Sequence, residues 1–256
     1  MKEQSTSIQS EILSPKELRR YAFQIKMGEM GVNGQERIKQ SKILVIGAGG
    51  KGTAALENLV SVGVGTLGIS DNYPVLESEL SRQHLYGSND LGKQKAIIAR
   101  QKLQEINQMV NFQLHNVCLS KENIFNICEP YDALVDATDN YSAHALINEA
   151  AIKMNKPVIF GSVKGPEGLV SVFNYKEGPS FRCAFPDPES LNPPYQEGAF
   201  ACQIALISMV GAAMANETIK VLLEADTALN GKVLTIDARS YSFVKKEVTK
   251  NPKNFT

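Results

Sequence analysis

The spacing of apolar and polar positions in SPKELRRYAFQI predicts a helix from Pro15, with Ser14 as its cap and proline at the first helical position. Residues 1–13 are polar and are expected to be loose. GQERIKQ fits a second, short helix. KILVI is short, continuous and β-branched, so it reads as a buried strand. A helix is predicted over Thr53 to Ser61, a strand over TLGIS (66–70), and helical spacing returns at Lys93 to Ile106. FQLHNV and YDALVDA are strand candidates, followed by a helix from Ser142 to Met154 and the strand KPVIFGS.

Strands alternating with helices predict an α/β fold with a mostly parallel, doubly wound, Rossmann-like sheet. After about residue 165 the texture changes. GLVSVFN, KVLTIDA and YSFVKKEV have the character of antiparallel strands continuing that sheet, and a long helix is predicted from about Gln203 to Ala225. The stretch GPSFRCAFPDPESLNPPYQEGAF is rich in proline and glycine and long for a connection, a feature of functional loops. One domain over 14–250 is expected, with a nucleotide-binding part at about 41–160.

Lys+Arg and Asp+Glu both number 27, so the chain carries no net charge, and broad nucleic-acid or membrane-surface binding is not expected. The most apolar stretch, Ile204 to Leu223, is interrupted by Ser208, Asn216, Glu217 and Lys220, so no membrane span is expected. MKEQSTSIQSE lacks a signal-peptide core, and Cys118, Cys128, Cys183 and Cys202 form no CxxC spacing. Both features fit a cytoplasmic protein with free thiols.

Four glycines then punctuate KILVIGAGGKG. Gly47, Gly49 and Gly52 make G-x-G-x-x-G directly after a strand and at the start of a helix. There, backbone N–H groups and the helix dipole can face a phosphate. Asp71 ends the next strand, where it could bind ribose hydroxyls. A P-loop is excluded because Val45 stands where its first glycine would be. The glycine fingerprint by itself suits NAD. Arg82 in SRQ, Lys95 in GKQK and Asp139 in DATDN sit on successive β-α connections, and they suit a triphosphate better. Two cations would neutralise phosphate charge while an aspartate held Mg²⁺.

The run RYAFQI…GVNGQERIKQSKILVIGAGGKG, with VGVGTLGISD, SRQ, GKQKA, DATDN and GLVSVF, resembles the ThiF/MoeB/HesA family over roughly residues 18–248. These are bacterial relatives of the ubiquitin-activating enzymes. The resemblance implies an adenylyltransferase that uses Mg-ATP to activate the C-terminal glycine of a small ubiquitin-like sulfur carrier with a Gly-Gly tail. It also implies a homodimer and a carrier-binding part at about 161–248. By position it gives Gly47, Gly49 and Gly52 as the nucleotide loop, Asp71 as the ribose ligand, Arg82 and Lys95 as phosphate ligands, and Asp139 as the Mg²⁺ ligand. The alternative is a catalytically degenerate member that serves an active homologue as a binding subunit.

Several positions depart from the family pattern. Phe23 occupies the place of the arginine that reaches a partner's ATP site, Asn72-Tyr73 follows Asp71 where D-x-D is frequent, and Glu79 stands where an asparagine precedes the arginine. The family's zinc uses two CxxC pairs; only Cys183 survives, so no zinc is expected and Cys183 is read as a small buried hydrophobe. Tyr195 stands where relatives place a covalent cysteine, and Cys202 is not expected to be reactive. Lys51 replaces an apolar residue in the glycine loop. It could partly replace the missing arginine, although a solvent-pointing head is the expectation.

Overall fold

The computed structural model describes residues 10–187 and 203–255. In chain order the helices are α1 (Pro15–Arg20), α2 (Ala22–Ile25), α3 (Gly31–Gln40), α4 (Gly50–Val62), α5 (Lys95–Ile106), α6 (Ile124–Cys128), α7 (Tyr141–Met154), α8 (Phe181–Ala184) and α9 (Gln203–Leu222). The strands are β1 (Lys42–Ile46), β2 (Thr66–Ser70), β3 (Asn111–His115), β4 (Ala133–Asp136), β5 (Val158–Lys164), β6 (Glu167–Phe173), β7 (Lys232–Asp237) and β8 (Ser242–Glu247). They form one sheet in the order β3-β2-β1-β4-β5-β6-β7-β8. Pairing is parallel from β3 through β5 and antiparallel from β5 to β8. This is the α/β architecture that the alternating pattern predicted.

Alternation along each strand divides the core between two helical layers. Ile43, Val45, Leu67, Ile69, Val135 and Ile159 pack with residues of α4, α5 and α9. Leu44, Ile46, Leu134, Val158 and Phe160 face the other way, toward α6, α7 and α8. Because both faces are covered, the central strands read as continuous apolar runs. Helix α9 is long and apolar enough to cross a membrane by composition, yet it packs on α4, β5 and β6. Its Glu217 is buried and accepts from Leu229 N–H at 2.7 Å and from Lys220 Nζ at 2.7 Å.

The N-terminal helix predicted from Pro15 is divided at Tyr21, whose ring is buried and whose hydroxyl accepts from the Asn107 amide at 2.9 Å. A capping box of Ser14 and Glu17 starts it as expected. Leu13, within the stretch expected to be loose, is instead buried with Tyr21 and Ile25. Residues 1–9 lie outside the described part.

Candidate active site

In a doubly wound sheet, ligands gather beyond the carboxyl ends of the strands where the strand order reverses. Here that point lies between β1 and β4, since β2 and β3 continue to one side and β5 to the other. A cavity of about 640 Å³ opens there, its wall including Gly47, Gly49, Asp71, Glu79, Lys95 and Asp139. Gly47, Gly49, Asp71, Lys95 and Asp139 are therefore brought together from three connections, β1–α4, β2–α5 and β4–α7.

Two glycines of the loop are required by shape. A Cβ on Gly52 would meet the Gly47 carbonyl oxygen at 1.8 Å, because helix α4 starts directly against the end of β1. Gly47 has φ +96°, a left-handed conformation costly to other residues, and its Cβ would meet Ala137 O at 2.9 Å. Asp71 braces this loop: its Oδ2 accepts from Ala48 N–H at 2.7 Å and its Oδ1 from Tyr73 N–H at 2.8 Å. Each oxygen keeps a lone pair for a ribose hydroxyl.

Lys95 opens α5 and is 5% exposed, with its ammonium 2.8 Å from Glu79 Oε2 and 2.9 Å from Oε1. Glu79 also accepts from Gln83 Nε2 at 3.0 Å. Burial alone would raise the Glu79 carboxyl, but hydrogen bonding and charge from Lys95 outweigh it and hold the group below the usual glutamate range. The carboxylate at this departure from the family pattern thus turns toward Lys95, the lysine expected to be a phosphate ligand. Arg82 is not part of the cavity wall. Its guanidinium bonds Ser78 O at 2.6 Å and lies 3.9 Å from Glu79.

The far wall is the connection after β4. Asp136 is buried, with Oδ2 2.7 Å from His144 Nδ1 and Oδ1 accepting from Thr138 Oγ1 at 2.7 Å and Thr138 N at 3.1 Å. His144 packs edge-on to Phe160 with centroids 4.9 Å apart. Burial would raise the Asp136 carboxyl, yet the imidazole and Thr138 hold it below the ordinary aspartate range. This network fixes the backbone that carries Asp139. Asn140 then caps α7 by accepting from Ala143 N–H at 2.9 Å. Asp139 presents its side chain outward, 85% exposed.

Lys51 corrects an expectation. Its head does not reach solvent: the residue is 5% exposed, and Nζ donates to Thr138 O at 3.0 Å and to Asp139 Oδ1 at 2.6 Å. An ammonium taken out of water is held only where such acceptors meet it. Its partner is the expected Mg²⁺ ligand, and among the described residues no group of three or more His, Cys, Asp or Glu could hold a metal. Asp139, with one oxygen engaged by an ammonium, does not make a preformed metal site.

Cys183 corrects another. It is not a buried hydrophobe: Sγ accepts from Asn251 N–H at 3.3 Å and Asn254 Nδ2 at 3.6 Å and lies 3.3 Å from Ser180 Oγ. Partial burial pushes the thiol up, but these donors bring it below the ordinary cysteine range. It ties α8 to the C-terminal segment. Phe23 is 85% exposed on α2, away from the cavity wall. Tyr195 and Cys202 lie outside the described residues. Sequence reasoning missed Gln83 and His144. It also missed the apolar lip of Leu76, Val117, Leu119 and Leu146, which lines the cavity and suits a base.

The ThiF family profile matches residues 21–255. The chain belongs to the ThiF family. One relative is a sulfur carrier protein adenylyltransferase of Thermus thermophilus, 39% identical over 248 residues, covering 93% of this chain and 89% of the relative. Another is the adenylyltransferase and sulfurtransferase MOCS3 of Culex quinquefasciatus, 38% identical over 231 residues and covering 90% of this chain. The chain spans 53% of that relative's length. Among solved structures, PaaA superposes with a TM-score of 0.81 at 23% identity, covering 96% of this chain and 88% of PaaA. E. coli MccB with MccA-N7isoASN gives 0.79 at 17% identity, covering 92% and 73%. At those identities the structural likeness speaks for the ThiF-type fold.

Proposed function

We propose that this ThiF-family chain is an ATP-dependent adenylyltransferase that activates the C-terminal glycine carboxylate of a small ubiquitin-like sulfur carrier. The observation that carries the reading is the convergence of the glycine loop, Asp71 and buried Lys95 on one cavity at the sheet's reversal point. In the reaction a carboxylate oxygen bonds to the α-phosphorus while the bond to the β-phosphate oxygen breaks. The products are an acyl-adenylate and pyrophosphate.

Neither reactant is a strong electrophile or nucleophile, so rate enhancement comes from alignment and from neutralising the leaving pyrophosphate. Asp71 holds the ribose, the apolar lip takes the base, and the N–H groups at the start of α4 face the phosphates. Lys95 moves from Glu79 to a phosphate oxygen, and Arg82 swings inward from Ser78 O. Asp139 would hold any Mg²⁺ that accompanies ATP through its oxygen not engaged by Lys51, and the ion would supply further charge neutralisation. The reading places the carrier on the part at about 161–248, treats the active form as a homodimer and places it in the cytoplasm. The described cysteines Cys118, Cys128 and Cys183 are free thiols, which suits that compartment.

The test is ATP–pyrophosphate exchange with a carrier ending in Gly-Gly and with the same carrier lacking its last glycine. Exchange with the first and none with the second is expected. ATP binding without exchange on any Gly-Gly carrier would overturn the activity.

A further inference from the structure

Lys51 donates to both Thr138 O at 3.0 Å and Asp139 Oδ1 at 2.6 Å, bridging the glycine loop and the loop after β4 across 88 positions of sequence. Its head is buried while the carboxylate it holds is largely in water. The asymmetry matters. An exposed aspartate gains little from a partner, so the pair fixes the lysine more than the aspartate. Thr138 in turn is held by Asp136 at 2.7 Å, so the acceptors that hold the ammonium rest on the buried Asp136–His144 network. Lys51 is not itself part of the cavity wall, but Thr138 and Asp139, which hold its ammonium, both are.

We propose that Lys51 is a resident cation directly behind the wall of the nucleotide site, occupying Asp139 and offsetting polyphosphate charge, so that this chain binds ATP with little dependence on divalent metal. The inference rests on the nucleotide reading above and deepens it. Asp139 carries a fixed positive group in the place expected for Mg²⁺. An incoming metal ion must either share that carboxylate through its other oxygen or displace the ammonium. Either way, part of the ion's contribution is already supplied by the protein. Because Asp139 is exposed, removing the lysine leaves no buried orphan charge, and neutral variants should fold.

The experiment is titration of the purified chain with ATP by calorimetry, once with magnesium and once with EDTA, for wild type, Lys51→Met and Lys51→Gln. Lys51→Gln keeps a hydrogen-bond donor for Thr138 O and so separates charge from packing. For wild type, removing the metal should weaken ATP by less than about threefold. For both variants it should weaken ATP by about tenfold or more, the size of one charge-assisted contact. A wild-type affinity that collapses in EDTA would overturn the inference while leaving the nucleotide reading intact. Equal weakening of the variants with and without metal would overturn it as well, since lysine and metal would then act independently. No ATP binding in any condition would overturn both readings.

Discussion

The two ends of the sheet handle charge in opposite ways. At the reversal point between β1 and β4, Lys51, Lys95, Asp136 and His144 are buried and each meets a partner at 3 Å or less. At the far edge, β8 is exposed along its whole length, and its Glu247 lies 3.8 Å from Lys232 on β7 with both groups in water. Burying charge is costly even when it is paired, so the first arrangement is weak evidence of stabilisation and better evidence of a site. Fold stability comes from the apolar layers on either side of the sheet. Under the proposed function the inner charges are exchanged with a ligand or hold those that are.

The largest effect is expected where a buried pair would be broken without a replacement. His144→Leu leaves Asp136 buried beside apolar Phe160, with only Thr138 to satisfy it. A cost of about 3–4 kcal/mol is expected. For a chain of this size that lowers the melting temperature by roughly 6–16 °C, measurable by calorimetry. A change under about 1 kcal/mol would mean that Thr138 alone satisfies the carboxylate, and the inner end would resemble the outer one.

Next comes Lys95→Ala, which removes the charge that the proposed function sets against the phosphates. Pyrophosphate exchange should fall by about 100-fold or more, the usual consequence of deleting one electrostatic contact to a transition state. Glu79→Gln should act in the other direction on binding. It releases Lys95 from a full negative charge, and ATP should bind several-fold more tightly by calorimetry. The same variant carries a pH test. Glu79 titrates below its ordinary value of 4.5, so its contribution to stability is present above that pH and is lost as pH falls through the lowered value. The stability difference between wild type and Glu79→Gln should therefore be constant from neutral pH to about pH 5 and shrink below 4.5. A difference that persists unchanged at pH 3.5 would show that the pair is not what lowers the carboxyl.

How much of this was legible in the chain follows from distance along it. β1 and β2 match KILVI and TLGIS residue for residue, because a short apolar run between turn signals is a local pattern. Gly47, Gly49, Gly52 and Asp71 were readable for the same reason, being one strand, one turn and the next strand end. The short α6 left no periodicity to detect, and Tyr21, where the first helix breaks, is held by Asn107, 86 positions away. The pairings that give the site its character are longer still or lack a local signature. Lys51 reaches Asp139 across 88 positions, and Glu79 reaches Lys95 across 16 from within an irregular loop. No spacing rule marks a lysine that will be buried. The contradiction with its ordinary preference for water is visible only once the loop after β4 is folded beside it.

The smallest effect sharpens the contrast from the outer end. Glu247→Ala removes the partner of Lys232 in a cross-strand pair exposed on both sides. Such a pair gains little Coulomb energy in water, and ordering two long side chains offsets most of it. Stability should change by less than about 0.5 kcal/mol, and raising the salt concentration should remove even that. ATP affinity should not move, because the β8 edge lies four strands from the reversal point between β1 and β4. If Glu247→Ala instead cost about 2 kcal/mol, the outer edge would be shielded from water in solution. The natural candidate for the shield would then be a second chain or the carrier lying along β8. Repeating the measurement across a hundredfold range of protein concentration separates those cases, since only self-association makes the melting temperature concentration-dependent.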